Sequence, residues 1–398
     1  MQNRPSHIAL SYAASFCLQQ LNDLGFEAFV VGGCVRDALL EKNIHDFDIC
    51  TNATPEEIKT VFIRFNTFDV GIKYGTITVL VQHTPVEITT YRVDGSYTDH
   101  RSPSQIEFSS SLQEDCQRRD FTINALCYNP QFGILDFFNG LHDLEEKRIQ
   151  CIGDAKVRFE EDALRILRAL RFSAQLNFEI ESATTQAMFH CLPLLEHLSK
   201  ERISSEFKKI ICAPHFEVVF LKFKPIFTFL FPELSKEIPH LSAIAHASSY
   251  SVRLALLLFA LDNTEIKSFL NRLSLSKQER KEQLFFHLHK ETPCTTKIEL
   301  KELLRFKPTH PWQLVQFKEL SHPSCLATGL YYQEILDNNE CTTLQQLSID
   351  GNDLLGHEFK KENFSYLLNS ALTQVIREKV PNQKEELLNY LLSTKKNP

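Results

Sequence analysis

The sequence predicts an α+β protein, with a small mixed head of strands and helices ending near residue 150 and an all-helical remainder. Three observations carry this. A short apolar strand, EAFVV, runs into Gly32-Gly33 and then into the helix CVRDALLEK. Two later segments, GTITVLVQ and VEITTYRV, alternate β-branched with other residues, the pattern of a half-buried strand pair. Beyond residue 150 the apolar spacing changes to the helical period of 3.6, first in FEEDALRILRALRFSAQL.

In chain order, residues 8–22 read as a helix, followed by the EAFVV strand, the glycine turn and its helix. DFDIC is the next strand. TPEEIKTVFIRF is a helix whose Thr54 is the expected N-cap, with Pro55 at the first helical position and glutamates in the first turn. The GTITVLVQ and VEITTYRV strands form an antiparallel hairpin about the connection HTP. Val93 to Cys116, rich in Asp, Ser, Gln, Thr and Glu, reads as one long loop. FTINALCYN and ILDFFNG supply further short strands. In the helical half, Pro214, Pro225, Pro232, Pro239, Pro308 and Pro311 mark helix boundaries.

Bulk composition narrows the class. With 398 residues the chain exceeds one small core, and 43% hydrophobic with 23% charged residues is ordinary for a globular protein. Gly is scarce at 12 and Phe abundant at 31, which favours helices and aromatic-filled cores. A net charge of −7 argues against indiscriminate coating of nucleic acid and leaves room for a local basic surface. The 11 cysteines form no CxxC pair and sit in apolar contexts, so free buried thiols are expected. No signal peptide is visible, and the longest apolar run, LALLLFAL, is far short of the roughly 20 residues of a membrane span. A cytoplasmic location is expected.

Four motifs carry chemistry. Asp46 and Asp48 in IHDFDIC share a face if both lie on a strand, and two like charges so close call for a cation such as Mg²⁺. Glu87 on the second hairpin strand completes a possible three-carboxylate cluster, or is simply an exposed strand residue. Gly32-Gly33 is either a tight turn or a place where backbone amides approach a phosphate, with Arg36 on the following helical turn; no Walker GK[ST] follows. In RRDFTINAL, Arg118 and Arg119 suit phosphate, while Asp120 and Asn124 can hold ribose hydroxyls or orient the arginines; read bare, the segment is a salt-bridged strand edge. In EEDALRILRALRF, Ala163, Ile166, Leu167 and Leu170 form a buried stripe, and Glu161, Asp162, Arg165, Arg168 and Arg171 fall largely off it. Acid–Arg pairs at three and four residues are common on helices, but three arginines at three-residue intervals exceed what pairing requires.

In this order and spacing, VVGGCVRD, HDFDICT, GIKYGTITV, VEITTYRVD, RRDFTINAL and EEDALRILRALRF resemble the class II tRNA nucleotidyltransferases, the bacterial-type CCA-adding enzymes. These belong to the polymerase-β superfamily, which also holds bacterial poly(A) polymerases. The resemblance covers about the first 180 residues. It implies a polymerase-β-like palm as head over residues 1–150, a helical neck with a nucleotide-templating helix over 151–212, a helical body over 213–315 and a tRNA-binding tail over 316–398.

Carried over, the resemblance makes Asp46 and Asp48 the Mg²⁺ ligands and Glu87 the third catalytic carboxylate. Gly32, Gly33, Arg36, Asp37, Arg119, Asp120 and Asn124 would contact the nucleotide, as would Glu161, Asp162, Arg165, Arg168 and Arg171. Asp162 and Arg165 would read the base. Cytosine and adenine both present an exocyclic amine donor beside a ring-nitrogen acceptor, whereas an ionised Asp only accepts and an Arg only donates. That pair fits C and A and opposes U and G. The implied reaction adds CCA to a tRNA 3′ end from CTP and ATP, releasing pyrophosphate.

Rival readings are a poly(A) polymerase, a partial enzyme adding only CC or only A, and a catalytically idle RNA-binding paralogue. VGIKYGTITV is the CCA-type form, Asp99 and Arg101 in YTDHRSP resemble the acidic–basic pair of complete CCA enzymes, and intact Asp46, Asp48 and Glu87 oppose the idle paralogue. A metal-dependent HD phosphohydrolase is disfavoured because the two His-Asp pairs, His45-Asp46 and His142-Asp143, both lie in the head. The helical half is expected to bind tRNA by shape and phosphate contacts, with Lys200, Arg202, Lys208, Lys209 and the basic residues from Lys277 to Lys281 as candidates.

Overall fold

The computed structural model describes residues 8–44, 46–95, 106–357 and 359–395; His45, Asp99 and Arg101 lie outside them. The chain divides into two compact units, Met1–Ile210 and Ile211–Pro398.

The first unit is built on a seven-stranded sheet. Its elements are α1 (Tyr12–Asp23), β1 (Ala28–Val31), α2 (Gly33–Leu39), β2 (Asp48–Thr51), α3 (Pro55–Val61), β3 (Asn66–Phe68), β4 (Thr76–Val81) and β5 (Thr84–Thr90). There follow β6 (Arg92–Asp94), β7 (Ile106–Phe108), α4 (Leu112–Gln117), β8 (Cys127–Asn129), β9 (Gly133–Leu135), α5 (Gly140–Glu145) and β10 (Arg148–Ile149). The unit continues through α6 (Ala155–Glu161), α7 (Leu164–Leu176), β11 (Glu179–Ile180), α8 (Ser182–His190) and α9 (Lys200–Ile211). The strand order of this sheet is β3-β4-β5-β2-β1-β8-β9, and among its described pairings β2 with β5 is the parallel one. The expected mixed head and helical remainder are both present.

β1 lies inside the sheet with all four residues buried, which is why AFVV carries no polar alternation. On one side of the sheet Phe29, Val31, Cys50, Tyr91 and Cys127 pack with Leu112 and Cys116 of α4. α3 begins as expected: Thr54 caps it in a reciprocal capping box with Glu57, and Pro55 occupies its first turn.

Several expected boundaries differ. α1 starts at Tyr12, where the Ser11 side chain accepts from the Ala14 N–H. The hairpin between β4 and β5 turns on Gln82 and His83, both with positive φ (47° and 65°), and Pro85 already lies in β5 opposite Leu80. Such a two-residue turn matches the twist of the strands better than a longer connection. Val93 to Cys116 is not one loop. Its ends form the β6–β7 ribbon and α4, nucleated by Ser111, whose side chain accepts from the Glu114 N–H. FTINALCYN is a 3-10 turn at Thr122–Asn124 followed by a strand only at Cys127–Asn129. FEEDALRILRALRFSAQL is two helices, α6 and α7, broken at Asp162.

The second unit contains eleven α-helices among its described residues, from Phe216 to Lys395. Pro225 and Pro311 stand in first turns, as their fixed φ favours. The abundant phenylalanines fill its interior, with Phe231 stacked on Phe269 at 4.7 Å and Phe216, Phe220 and Phe227 clustered within about 6 Å of one another. Lys318 is fully buried, and its ammonium donates to the carbonyls of His289, Lys290 and Thr292 at the end of the helix Lys277–His289. A separate apolar cluster, including Ile349, Leu354, Leu372, Ile376 and Leu391, packs the C-terminal helices. All 11 cysteines are free, ten of them buried. Among the described residues no helix is long and apolar enough to cross a membrane.

Gly140 opens α5 directly against the turn that carries Asn124: a Cβ there would stand 2.3 Å from the Thr122 carbonyl oxygen. Backbone cannot yield as a side chain can. Gly140→Ala is expected to destabilise the first unit by about 1–3 kcal/mol, measured by urea unfolding followed by circular dichroism. An unchanged midpoint would show that the turn is not held this tightly.

Candidate active site

β2 opens at Asp48, and its parallel pairing sets Asp48 opposite Glu87 on β5. Opposed residues of a ladder project to the same side, so these two carboxylates are neighbours by register. Asp46 lies two residues before the strand, in irregular exposed chain, so strand alternation does not place it beside Asp48 as the sequence suggested. Solvent reaches Asp48 through the cavity, yet surrounding protein and then the charge of Glu87 push its carboxyl above the usual range; Arg119 opposes this and Asp46 adds to it. Among the described residues no three His, Cys, Asp or Glu side chains converge as a metal cage. Mg²⁺ typically takes only one or two protein carboxylates and completes its shell with water and phosphate. Neighbouring hard oxygen donors of like charge fit that mode.

Beside Asp48 lies a cavity of about 470 Å³ lined by Gly32, Gly33, Arg36, Asp48, Arg118, Arg119, Asp120, Asn124, Asp162, Leu164, Arg165, Arg168, Arg171, Phe172 and Arg202. Gly32 has φ 79°, and a Cβ at that residue would stand 3.2 Å from an Arg119 guanidinium nitrogen. The glycine therefore makes room for Arg119 as well as for the turn. Its own N–H donates to the Leu126 carbonyl.

The arginines are anchored in a continuous polar network. Arg36 donates to both carboxylate oxygens of Asp37 and, at 2.6 Å, to the Asn124 side-chain oxygen. The Asn124 amide donates to Asp120 at 3.0 Å, and Arg168 donates to the other Asp120 oxygen at 2.6 Å. Burial alone would raise the Asp120 carboxyl, but Arg168's charge and these hydrogen bonds bring it down to about 2. Asp115, fully buried on α4, holds Arg118 at 2.7 Å and Arg119 at 3.1 Å. Burial works against the charged form of Arg119, yet Asp115 keeps it above the usual range. Arg171 pairs with buried Glu206 at 2.9 Å; burial and the nearby Arg168 nevertheless bring it down to about 10. The Phe172 ring lies under three guanidinium groups, Arg171 at 4.4 Å, Arg36 at 4.9 Å and Arg168 at 5.4 Å.

Asp162 breaks the expected long helix. Its backbone is extended (φ −145°, ψ 101°), and one of its carboxylate oxygens accepts the Leu164 N–H at 3.0 Å. A short acidic side chain that satisfies backbone N–H groups competes with helix continuation in this way. The other oxygen accepts from Arg202 at 2.8 Å. Arg165 donates to the carbonyls of Arg158 and Arg118 and to Glu161, which also holds Arg158.

The structure thus gathers Gly32, Gly33, Arg36, Asp48, Arg119, Asp120, Asn124, Asp162, Arg165, Arg168 and Arg171 about one cavity. Asp46 and Glu87 are not among its lining residues, and Asp37 and Glu161 stand behind it as partners of Arg36 and Arg165. Asp120 and Asn124 orient arginines within the chain, one of the roles the sequence offered. Arg202, read from sequence as an RNA contact, is turned to Asp162. Arg165 and Arg171 are buried rather than facing solvent off the apolar stripe. Sequence reasoning missed Asp115, Glu206 and Phe172. Asp115 stands three and four residues before the arginine pair, a helical pairing that was readable; Glu206 and Phe172 carried no local signal.

Residues 28–150 match the family described as "Poly A polymerase head domain", and residues 177–238 the one described as "Probable RNA and SrmB- binding site of polymerase A". A protein of Streptococcus pyogenes named CCA-adding enzyme is 52% identical over 198 residues, 50% of this chain and 49% of the relative, so the match spans about half the length of that curated relative. Among solved structures, the Bacillus stearothermophilus CCA-adding enzyme in complex with CTP superposes with a TM-score of 0.84 at 28% identity, covering 96% of this chain and 97% of that one. The Thermotoga maritima CCA-adding enzyme shares the fold, with a TM-score of 0.67 at 21% identity over 96% of this chain and 94% of that one. The sheet and the arginine-lined cavity thus accompany a likeness to the poly(A) polymerase head over residues 28–150 and to bacterial CCA-adding enzymes over about half of the chain.

Proposed function

We propose that this protein adds the CCA sequence to the 3′ end of tRNA, joining CTP and ATP in turn with release of pyrophosphate and without a nucleic-acid template. The observation that carries the reading is the single cavity in which phosphate-binding arginines, the Asp48 carboxylate and the fixed Asp162 stand together. The named relatives, 52% identical over half the chain, support it.

Asp46 and Asp48 would hold Mg²⁺, with Glu87 beside Asp48. Bound there, the ion would neutralise triphosphate charge and lower the pKa of the attacking 3′-hydroxyl. Arg36, Arg118, Arg119 and Arg168 offer charged donors to the triphosphate, and their carboxylate partners keep them in place without quenching all of their hydrogen-bonding capacity. Attack on the α-phosphate then expels pyrophosphate into the same basic cavity.

Base choice falls to Asp162 and Arg165. Leu164 N–H and Arg202 fix the Asp162 carboxylate from two sides, and each oxygen keeps a lone pair for an exocyclic amine. Arg165, held by two carbonyls and Glu161, presents a donor for the ring nitrogen. Uracil and guanine would set acceptor against acceptor and donor against donor, each mismatch costing about 1–3 kcal/mol in a dry site. Rigidity matters here, because a carboxylate free to rotate could rematch.

The defining test offers purified protein tRNAs ending before A, CA or CCA with each labelled NTP in turn. Stepwise addition that completes CCA and stops is expected; a long A tract from ATP alone would favour a poly(A) polymerase. Asp48→Asn should lower transfer by at least about a hundredfold while leaving the melting temperature equal or higher, since it removes a carboxylate crowded by like charges. Retained Mg²⁺-dependent transfer would overturn the metal assignment. Arg202→Ala should reduce discrimination of CTP over UTP by about tenfold or more, with Arg202→Lys intermediate. Equal loss for every nucleotide would show that Arg202 serves the fold alone.

A further inference from the structure

We propose that Tyr74 and Phe108, with Lys73 and Arg92 beside them, form a stacking platform for the unpaired 3′-terminal nucleotide of the acceptor RNA, a site separate from the arginine-lined cavity. The proposal rests on the nucleotidyltransferase reading above.

Both rings are open to solvent, Tyr74 at 39% and Phe108 at 50% exposure, although the surrounding sheet offers buried positions in plenty. They are neighbours by construction. Gly75, which follows Tyr74, has φ 77°, and a Cβ on it would stand 2.9 Å from a Phe108 ring carbon. Phe108 is also the cross-strand partner of Arg92 in the β6–β7 ribbon. Arg92 in turn donates to the Tyr74 carbonyl at 2.6 Å, and its guanidinium lies 5.8 Å from the Tyr74 ring. The Lys73 ammonium lies 5.8 Å from the same ring. Exposed aromatic faces interleaved with cations suit an unpaired base and its phosphate, because every base offers a π-face and every linkage a negative charge.

The position relative to the chemistry fits. Two backbone hydrogen bonds tie the platform to the site. The Arg92 N–H donates to Asp115, the carboxylate that holds Arg118 and Arg119. The Thr90 N–H donates to the Gly75 carbonyl, three residues along β5 from Glu87 and so about 10 Å away along the strand. That separation is of the size of one or two nucleotides. An RNA whose 3′-hydroxyl lies at Asp48 can therefore rest its terminal base on Tyr74 while the incoming nucleotide occupies the cavity.

The test uses the full chain and a tRNA lacking CCA whose last nucleotide is 2-aminopurine, a fluorescent base quenched by stacking. Binding should quench the fluorescence with the wild type and with Tyr74→Phe. It should not do so with Tyr74→Leu, whose KM for tRNA should rise about tenfold while its KM for CTP stays the same. Lys73→Glu should weaken tRNA binding and flatten its salt dependence. Unchanged quenching and unchanged KM for tRNA in Tyr74→Leu would overturn the platform while leaving the transferase reading intact. Quenching through Tyr74 by a wild type that transfers no nucleotide would keep the platform and remove the transferase reading.

Discussion

Seven guanidinium groups around one cavity of about 470 Å³ is the constraint on which the rest of the first unit depends. Left to themselves they would repel one another and keep the cavity open and hydrated. Each is instead tied to a carboxylate: Arg36 to Asp37, Arg118 and Arg119 to Asp115, Arg165 to Glu161, Arg168 to Asp120, Arg171 to Glu206 and Arg202 to Asp162. Asp115 and Glu161 each serve two arginines, since Glu161 also holds Arg158, so the shell keeps a positive excess. A site of this kind is complementary to an anion before the anion arrives. Its donors are already oriented and little reorganisation remains to be done on binding.

The sequence distribution of those carboxylates explains the irregularities of the fold. The Asp162 carboxylate binds Leu164 N–H and Arg202 at once, and the helix breaks there into α6 and α7. Asp120 and Asn124 sit on and before a 3-10 turn rather than a strand, which lets both side chains reach the arginines of α2 and α7. Gly32 gives up a side chain so that Arg119 can occupy the space. In each case local propensity yields to a buried charge that must be paired, because an unpaired one would cost far more than a broken turn of helix.

What was legible in the sequence follows from the same distinction. Periodicity and caps are local, so the Thr54–Pro55 helix start, the β4–β5 hairpin and the helical second half were all readable. The motif residues that line the cavity were readable because they recur at fixed short spacings along the chain. The partners that hold them were not. Glu206 lies 35 residues from Arg171, and Arg202 lies 40 residues from Asp162; nothing local marks either pairing. The strand placement of Asp46 differs for the opposite reason. Strand alternation does not reach it, because the strand starts two residues later, where parallel pairing with β5 begins.

Two aspartates show how the arrangement assigns chemistry to identical side chains. Asp120 is buried but enclosed by Arg168 and Asn124, so its charge is satisfied and its carboxyl is held down to about 2. Asp48 faces the same cavity, but surrounding protein and then the charge of its register partner Glu87 push its carboxyl up, with Asp46 adding to this. The protein answers the first charge from within and leaves the second to be answered from outside. A carboxylate poised in that way, at the edge of a cavity of anchored arginines, is where a divalent cation carried in with a triphosphate would gain most. On the function proposed above, the negative strand end and the positive cavity would be two halves of one site, completed by the nucleotide and its metal.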